Sequence, residues 1–254
     1  MLQAAVVGLG FGMNLHESLK AGSDGMLFTI ISVTGVILIG WFVGKWLKVP
    51  NKLSWLISSG TAICGGSAIA AVSPVVDANE DETSMSLAVI FALNAIALFI
   101  FPPIGHLLGL SEQQFGMWAA IAIHDTSSVV GAGAQYGSDA LAVATTVKLT
   151  RALWIIPLSF VSMMFFRKDA NRKISIPWFI FLFILAMLAN TYFAIPAVLL
   201  KGIGIASHKM LSMTLFLIGS GLSIQSIRNV GIKPVAMGLI LWASIMVATL
   251  LVIL

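Results

Sequence analysis

The chain has 254 residues, of which 59% are hydrophobic and 9% charged, with a formal net charge of +4. Soluble domains carry about 25% charged residues, so a water-soluble fold is excluded, and repeated apolar runs of helical length point to an all-α polytopic membrane protein. The alternating strands of a transmembrane barrel are not seen. A lone cysteine, Cys64, leaves neither an intrachain disulfide nor a cysteine-based metal cluster, and the excess positive charge belongs to loops rather than to a nucleic-acid footprint.

About nine membrane segments are expected along the chain. The first, Met1 to Met13, is short and opens without a cleavable signal peptide. The second, Met26 to Val43, ends in Lys45, Lys48 and Lys52, a basic cluster that reads as cytoplasmic. The third, Leu53 to Val76, carries Ser58-Ser59-Gly60-Thr61 and Cys64-Gly65-Gly66-Ser67 at its centre. Glycine and serine at that density weaken a helix, so an interrupted or re-entrant helix is expected. The fourth, Met85 to Leu108, holds Asn94 at mid-depth and Pro102-Pro103 near its end. The fifth, Gln113 to Tyr136, is broken by His124-Asp125-Thr126-Ser127-Ser128, and the sixth, Ala140 to Phe166, contains Lys148 and Arg151 and runs into the basic stretch 167–173. A seventh segment, Ile176 to Phe193, a half-segment, Ile195 to Leu200, an eighth, Leu211 to Ile224, and a last, Val235 to Leu254, complete a single transmembrane domain over residues 1–254.

Two self-matches suggest a duplicated core. Ala62-Ile63-Cys64-Gly65-Gly66-Ser67-Ala68 aligns with Ala122-Ile123-His124-Asp125-Thr126-Ser127-Ser128, and Leu87-Ala88-Val89 aligns with Leu141-Ala142-Val143, which sets Asn94 opposite Lys148. Separately, Gly10-Phe11-Gly12 to Gly22 aligns with Gly219-Ser220-Gly221 to Gly231. The broken segments form an inverted repeat if each is re-entrant and a parallel one if each crosses fully.

The stretches GTAICGGSAIAA (Gly60 to Ala71) and AIHDTSSVVGAGAQYG (Ala122 to Gly137), with VKLTR (Val147 to Arg151), the Asn94 segment and the closing GSGLS (Gly219 to Ser223), resemble the YeiH-type bacterial membrane proteins, a family named for sulfate export. The resemblance covers essentially the whole length. It implies a fold similar to the cation–proton antiporters and bile-acid symporters, with inverted repeats and discontinuous helices. It also implies that about two further helices precede the position of Met1 in other members, so this chain looks short at its N-terminus. Sulfate, sulfite and sulfonate-derived anions are the substrates the resemblance suggests.

The residues themselves support related chemistry. A helix broken at mid-membrane leaves backbone N–H groups at the N-terminus of its second half, and the helix dipole there favours an anion. Gly65, Gly66, Ser67, Thr126, Ser127 and Ser128 are candidates for two such ends, with Asn94 beside them. Lys148 and Arg151 share one helical face and are expected to meet the anion, while His124 and Asp125 handle a proton. A purely structural ion pair between Asp125 and Lys148 or Arg151 is the plainer alternative, as is close packing for Gly65 and Gly66.

Without a Walker loop or zinc spacing, no cofactor and no enzymatic constellation is expected. The sequence therefore points to a secondary anion exporter of the bacterial inner membrane, whose partners are a small anion and the lipid bilayer, with a homo-oligomer allowed. A cation–proton antiporter or sodium-coupled symporter with Asp125 as the ion carboxylate is the first alternative, and a non-transporting membrane protein the second.

Overall fold

The computed structural model describes residues 4, 7–8, 10–12, 15–166, 178–193, 195–220 and 232–254, and among these it is helical, without strands. The helices are α1 (Leu15–Leu47), α2 (Asn51–Ala62), α3 (Gly66–Val72), α4 (Glu80–Leu107), α5 (Glu112–Ala122), α6 (Thr126–Tyr136), α7 (Ser138–Ala152), α8 (Ile155–Phe166), α9 (Trp178–Tyr192), α10 (Ala197–Ser220) and α11 (Ile232–Ile253). Four helical stretches among the described residues are long and apolar enough to cross a membrane: Thr29–Leu47, Glu80–Leu107, Ser138–Phe166 and Ile232–Ile253.

Several of the other helices fall short of a full crossing, which takes about 20 residues, and two pairs do so because they are interrupted. Helix α2 has 12 residues and α3 has 7, separated by Ile63, Cys64 and Gly65. Helices α5 and α6 have 11 each, separated by Ile123, His124 and Asp125. In α2 the hydroxyls of Ser58, Ser59 and Thr61 donate to the carbonyls of Ser54, Trp55 and Ile57, a local competition that weakens a helix. Gly65 then turns the chain at φ +64°, a left-handed value that costs glycine nothing.

In both pairs the chain doubles back. Lys52 near the start of α2 forms an ion pair at 3.8 Å with Asp77, which lies just past α3, and also donates to the Asp77 carbonyl. Tyr136 at the end of α6 returns to the start of α5, stacking on Phe115 at 3.8 Å and donating to the Leu110 carbonyl at 2.6 Å. Helix α4 joins the end of the first pair to the start of the second. Its own start is fixed by a capping box between Asn79 and Glu82.

The basic side chains gather at the end where the α2–α3 pair opens. Lys45, Lys48 and Lys52 lie there. The C-terminus of α8 arrives against Trp55 through Phe165 and Phe166, and the start of α11 arrives there through Met237, packed with Val49 and Leu53. Helix α11 finishes at the opposite end, where the Ile253 carbonyl accepts from Gln114 Nε2. Helices α1 and α2 approach closely because Gly40 and Gly44 face Ser58 and Ser54, each glycine leaving only the space the hydroxyl fills. Small residues at four-residue spacing permit such contacts in membrane bundles. Large apolar side chains such as Phe42, Phe99, Met164 and Leu251 point outward, the surface a bilayer would cover.

Two sequence expectations differ from the fold. The half-segment at Ile195–Leu200 and the segment from Leu211 are one helix, α10, through Ser220. Gly202 and Gly204 lie between them, but glycine alone lowers helix propensity without ending a helix. The sixth segment is likewise divided, by a turn at Leu153 and Trp154 between α7 and α8. The stretch 167–173 and most of the match from Gly219 to Gly231 lie outside the described residues.

Candidate functional site

The self-match of the sequence is reproduced residue for residue by the two breaks. Ala62 and Ala122 each end the first half-helix, and Gly66 and Thr126 each open the second. The two tips touch: a Cβ added to Gly65 would stand 3.3 Å from the backbone carbon and the Cβ of His124. All the sequence-predicted residues lie on these two breaks or on the helices α4 and α7 that flank them.

A helix end leaves carbonyls without partners, and side chains from outside the pairs supply those partners here. Lys148 on α7 donates to the Ile63 carbonyl at 3.1 Å, Ala120 at 3.3 Å and Ile123 at 2.7 Å. One ammonium therefore joins both breaks and uses all three of its N–H groups. Arg151, one turn further along the same face, donates from Nη2 to the Ala62 carbonyl and from Nη1 to the Ser32 hydroxyl of α1 at 2.8 Å. Trp242 on α11 donates to the Ala122 carbonyl at 3.0 Å. Positive charge at two helix C-termini is electrostatically matched. Lys148 is 1% exposed and Arg151 fully buried, and the hydrogen bonds of both run to backbone carbonyls and the Ser32 hydroxyl.

Asn94 serves the second break from the other flank. Its Oδ1 accepts from the Asp125 backbone N–H at 3.1 Å, and its Nδ2 donates to Ser128 Oγ at 2.7 Å. The register that set Asn94 opposite Lys148 thus pairs two residues doing comparable work, each holding the tip of a break. Gly66 is buried, and Ser67, Asp125, Thr126 and Ser128 are half-buried, in and just before the first turns of α3 and α6; Ser127 follows Thr126 in that first turn.

Among the described residues, three buried polar atoms at this crossing have no hydrogen-bond partner: both ring nitrogens of His124 and Nε of Arg151. Buried polar atoms are nearly always satisfied, and an orphaned imidazole at a helix break, 6.5 Å from the Trp242 ring, marks a place where a ligand, proton or water would be bound. Among the described residues no three His, Cys, Asp or Glu side chains gather as a metal site would require.

Sequence reasoning missed Ser32 and Trp242. A tryptophan belongs near the membrane interface, and Trp242 instead sits in the middle of the span Ile232–Ile253; that misplacement is the signal that would have found it. Ser32, one of several hydroxyl residues in α1, offers a weaker one.

Fold and site together define a helical membrane protein built on two interrupted helix pairs whose tips cross and are held by buried cations. Residues 1–238 match the family described as "Conserved hypothetical protein 698", and the chain belongs to that family. It is 60% identical over 253 residues to a UPF0324 membrane protein of Bacteroides thetaiotaomicron, covering 98% of this chain and 76% of that protein. It is 55% identical to a UPF0324 membrane protein of Porphyromonas gingivalis, covering 100% of this chain and 78% of the relative, and 49% identical to one of Photobacterium profundum, covering 98% and 76%. No solved structure matches the chain.

Proposed function

We propose that this protein is a multi-pass secondary transporter that exports small oxyanions across the bacterial cell membrane, with sulfate, sulfite or a sulfonate as substrate. In this reading α2–α3 and α5–α6 are re-entrant hairpins that enter from opposite faces and form an inverted repeat. The observation that carries it is Lys148 reaching the carbonyl ends of both breaks at once. That contact brings four half-helix ends together in a bundle that holds four stretches long enough to span. Discontinuous helices meeting near the bilayer midplane are where secondary transporters bind their substrates.

The anion would sit at the amide ends of α3 and α6, among Gly65, Gly66, Ser67, Thr126, Ser127 and Ser128. Backbone N–H groups and hydroxyls are the donors available there. Lys148 acts through space, since its hydrogens are committed to carbonyls, while Arg151 keeps Nε for a further acceptor. Two cations and one nearby carboxylate, Asp125, leave the crossing positive, and a dry, positive centre favours an anion. His124, with both nitrogens unpartnered, and Asp125 beside it are the groups for a coupled proton.

The test is uptake of labelled sulfate and sulfite into proteoliposomes, with sulfonates and carboxylates as competitors. Saturable flux above protein-free vesicles is expected, with at least a tenfold loss in Arg151→Ala. Absence of flux for the whole panel, or full activity in both Lys148→Ala and Arg151→Ala, overturns the reading.

A further inference from the structure

We propose that the Lys148 ammonium stands where a coupling cation would otherwise bind, so that the protein works without sodium or potassium, and that removing this side chain opens a monovalent-cation site. The proposal deepens the transport reading by naming what the carrier is not coupled to, and its thermal arm below does not depend on that reading.

The argument begins with the oxygens. The carbonyls of Ile63, Ala120 and Ile123 converge on one point from two different half-helices, at 2.7–3.3 Å from a single nitrogen. Unwound carbonyls and half-helix C-terminal ends are the groups that coordinate sodium in broken-helix transporters, and carbonyl oxygens replace the hydration shell of potassium in channels. Each end also carries the negative pole of its helix dipole, about half an elementary charge, so two ends together call for about one positive charge at their meeting point. A free cation could supply that charge, and so does a tethered ammonium. Lys148 brings one on a buried side chain from α7 and fills all three acceptors.

The three N–H groups of Lys148 go to three carbonyls, the ligand set of an alkali cation. Arg151 and Trp242 take up the neighbouring carbonyls of Ala62 and Ala122, so the three-oxygen cluster is separately framed and does not spread along the helix ends.

The experiment measures thermal unfolding of the purified full chain in detergent, with choline, sodium, potassium or ammonium chloride at equal ionic strength. The wild type is expected to unfold at the same temperature in all four salts. Lys148→Ala is expected to unfold earlier in choline and to recover by about 5 °C, saturably, in ammonium, potassium or sodium, as binding to the folded state alone requires. Lys148→Met, which refills the space with an uncharged chain, is expected to show no such recovery.

A Lys148→Ala response no larger in any of the three small cations than in choline overturns the proposal, as does a recovery that Lys148→Met shares. If Lys148→Ala cannot be purified in any salt, the wild type decides: a saturable rise in its unfolding temperature on adding sodium or potassium overturns the proposal, and indifference supports it. Cation rescue of Lys148→Ala without anion flux in the wild type would remove the transport reading and leave this one standing. Anion flux without rescue would do the reverse.

Discussion

The two breaks are built alike and equipped differently. At the first, Ile63-Cys64-Gly65, the turn is made by glycine at φ +64° and the side chains are apolar or small. At the second, Ile123-His124-Asp125, the same three positions carry an imidazole and a carboxylate, and the cap is supplied from α4 by Asn94. One copy of the motif therefore supplies geometry and the other supplies titratable groups. Duplication gives two matching frames; chemistry needs to be placed in only one of them. The first break also lets the second stay polar, because Gly65 has no side chain to displace His124.

Substitutions can break this comparison, and the largest effect belongs to the residue the two breaks share. Lys148→Met strips three buried carbonyls of their donor, and the protein should lose about 3 kcal/mol or more. Chemical or thermal unfolding in detergent checks this, and a loss below about 1 kcal/mol would mean the tips are not held by the ammonium.

Next comes Gly65→Ala, which forces a side chain into a left-handed turn against His124 and should cost about 1–3 kcal/mol. The matching change, Asp125→Ala, should leave the fold within about 1 kcal/mol of the wild type because that position has no left-handed requirement. Equal losses in the two variants would erase the proposed division between a geometric break and a chemical one.

Asn94→Leu leaves the Asp125 N–H and the Ser128 hydroxyl without their partner and is expected to cost about 1–2 kcal/mol. The loss should appear as faster hydrogen exchange confined to residues 123–128. The smallest effect is expected at His124. Replacing an imidazole that makes no hydrogen bond by a ring of similar shape, His124→Phe, should leave stability within about 0.5 kcal/mol or raise it. The pH dependence of flux should vanish in that variant. Marked destabilisation would show that the imidazole has a structural partner after all.

The sequence announced the breaks better than it announced their roles. The alignment of Ala62–Ala68 with Ala122–Ser128 points to both interrupted stretches, because glycine, serine and ionisable groups inside apolar runs weaken helices wherever they fall. The expense of Lys148 and Arg151 in an apolar segment likewise marked them as central. Their partners were not legible, because the acceptors are backbone carbonyls, which every residue carries and no side chain identifies. For the same reason nothing in the sequence shows that Lys148 grips the carbonyl ends of the half-helices. Whether the broken pairs double back was equally hidden: it depends on Lys52 meeting Asp77 and Tyr136 meeting Leu110, contacts across 25 and 26 residues that no local pattern encodes.

The three-way grip of Lys148 has a mechanical consequence. Pulling the tips apart would leave a bare ammonium and three stranded oxygens in a low-dielectric interior, a penalty far above thermal energy. A transport cycle of the proposed kind would therefore carry the tips and α7 as one rigid body. Arg151, bonded to Ser32 of α1 as well as to the Ala62 carbonyl, ties α1 into the same unit.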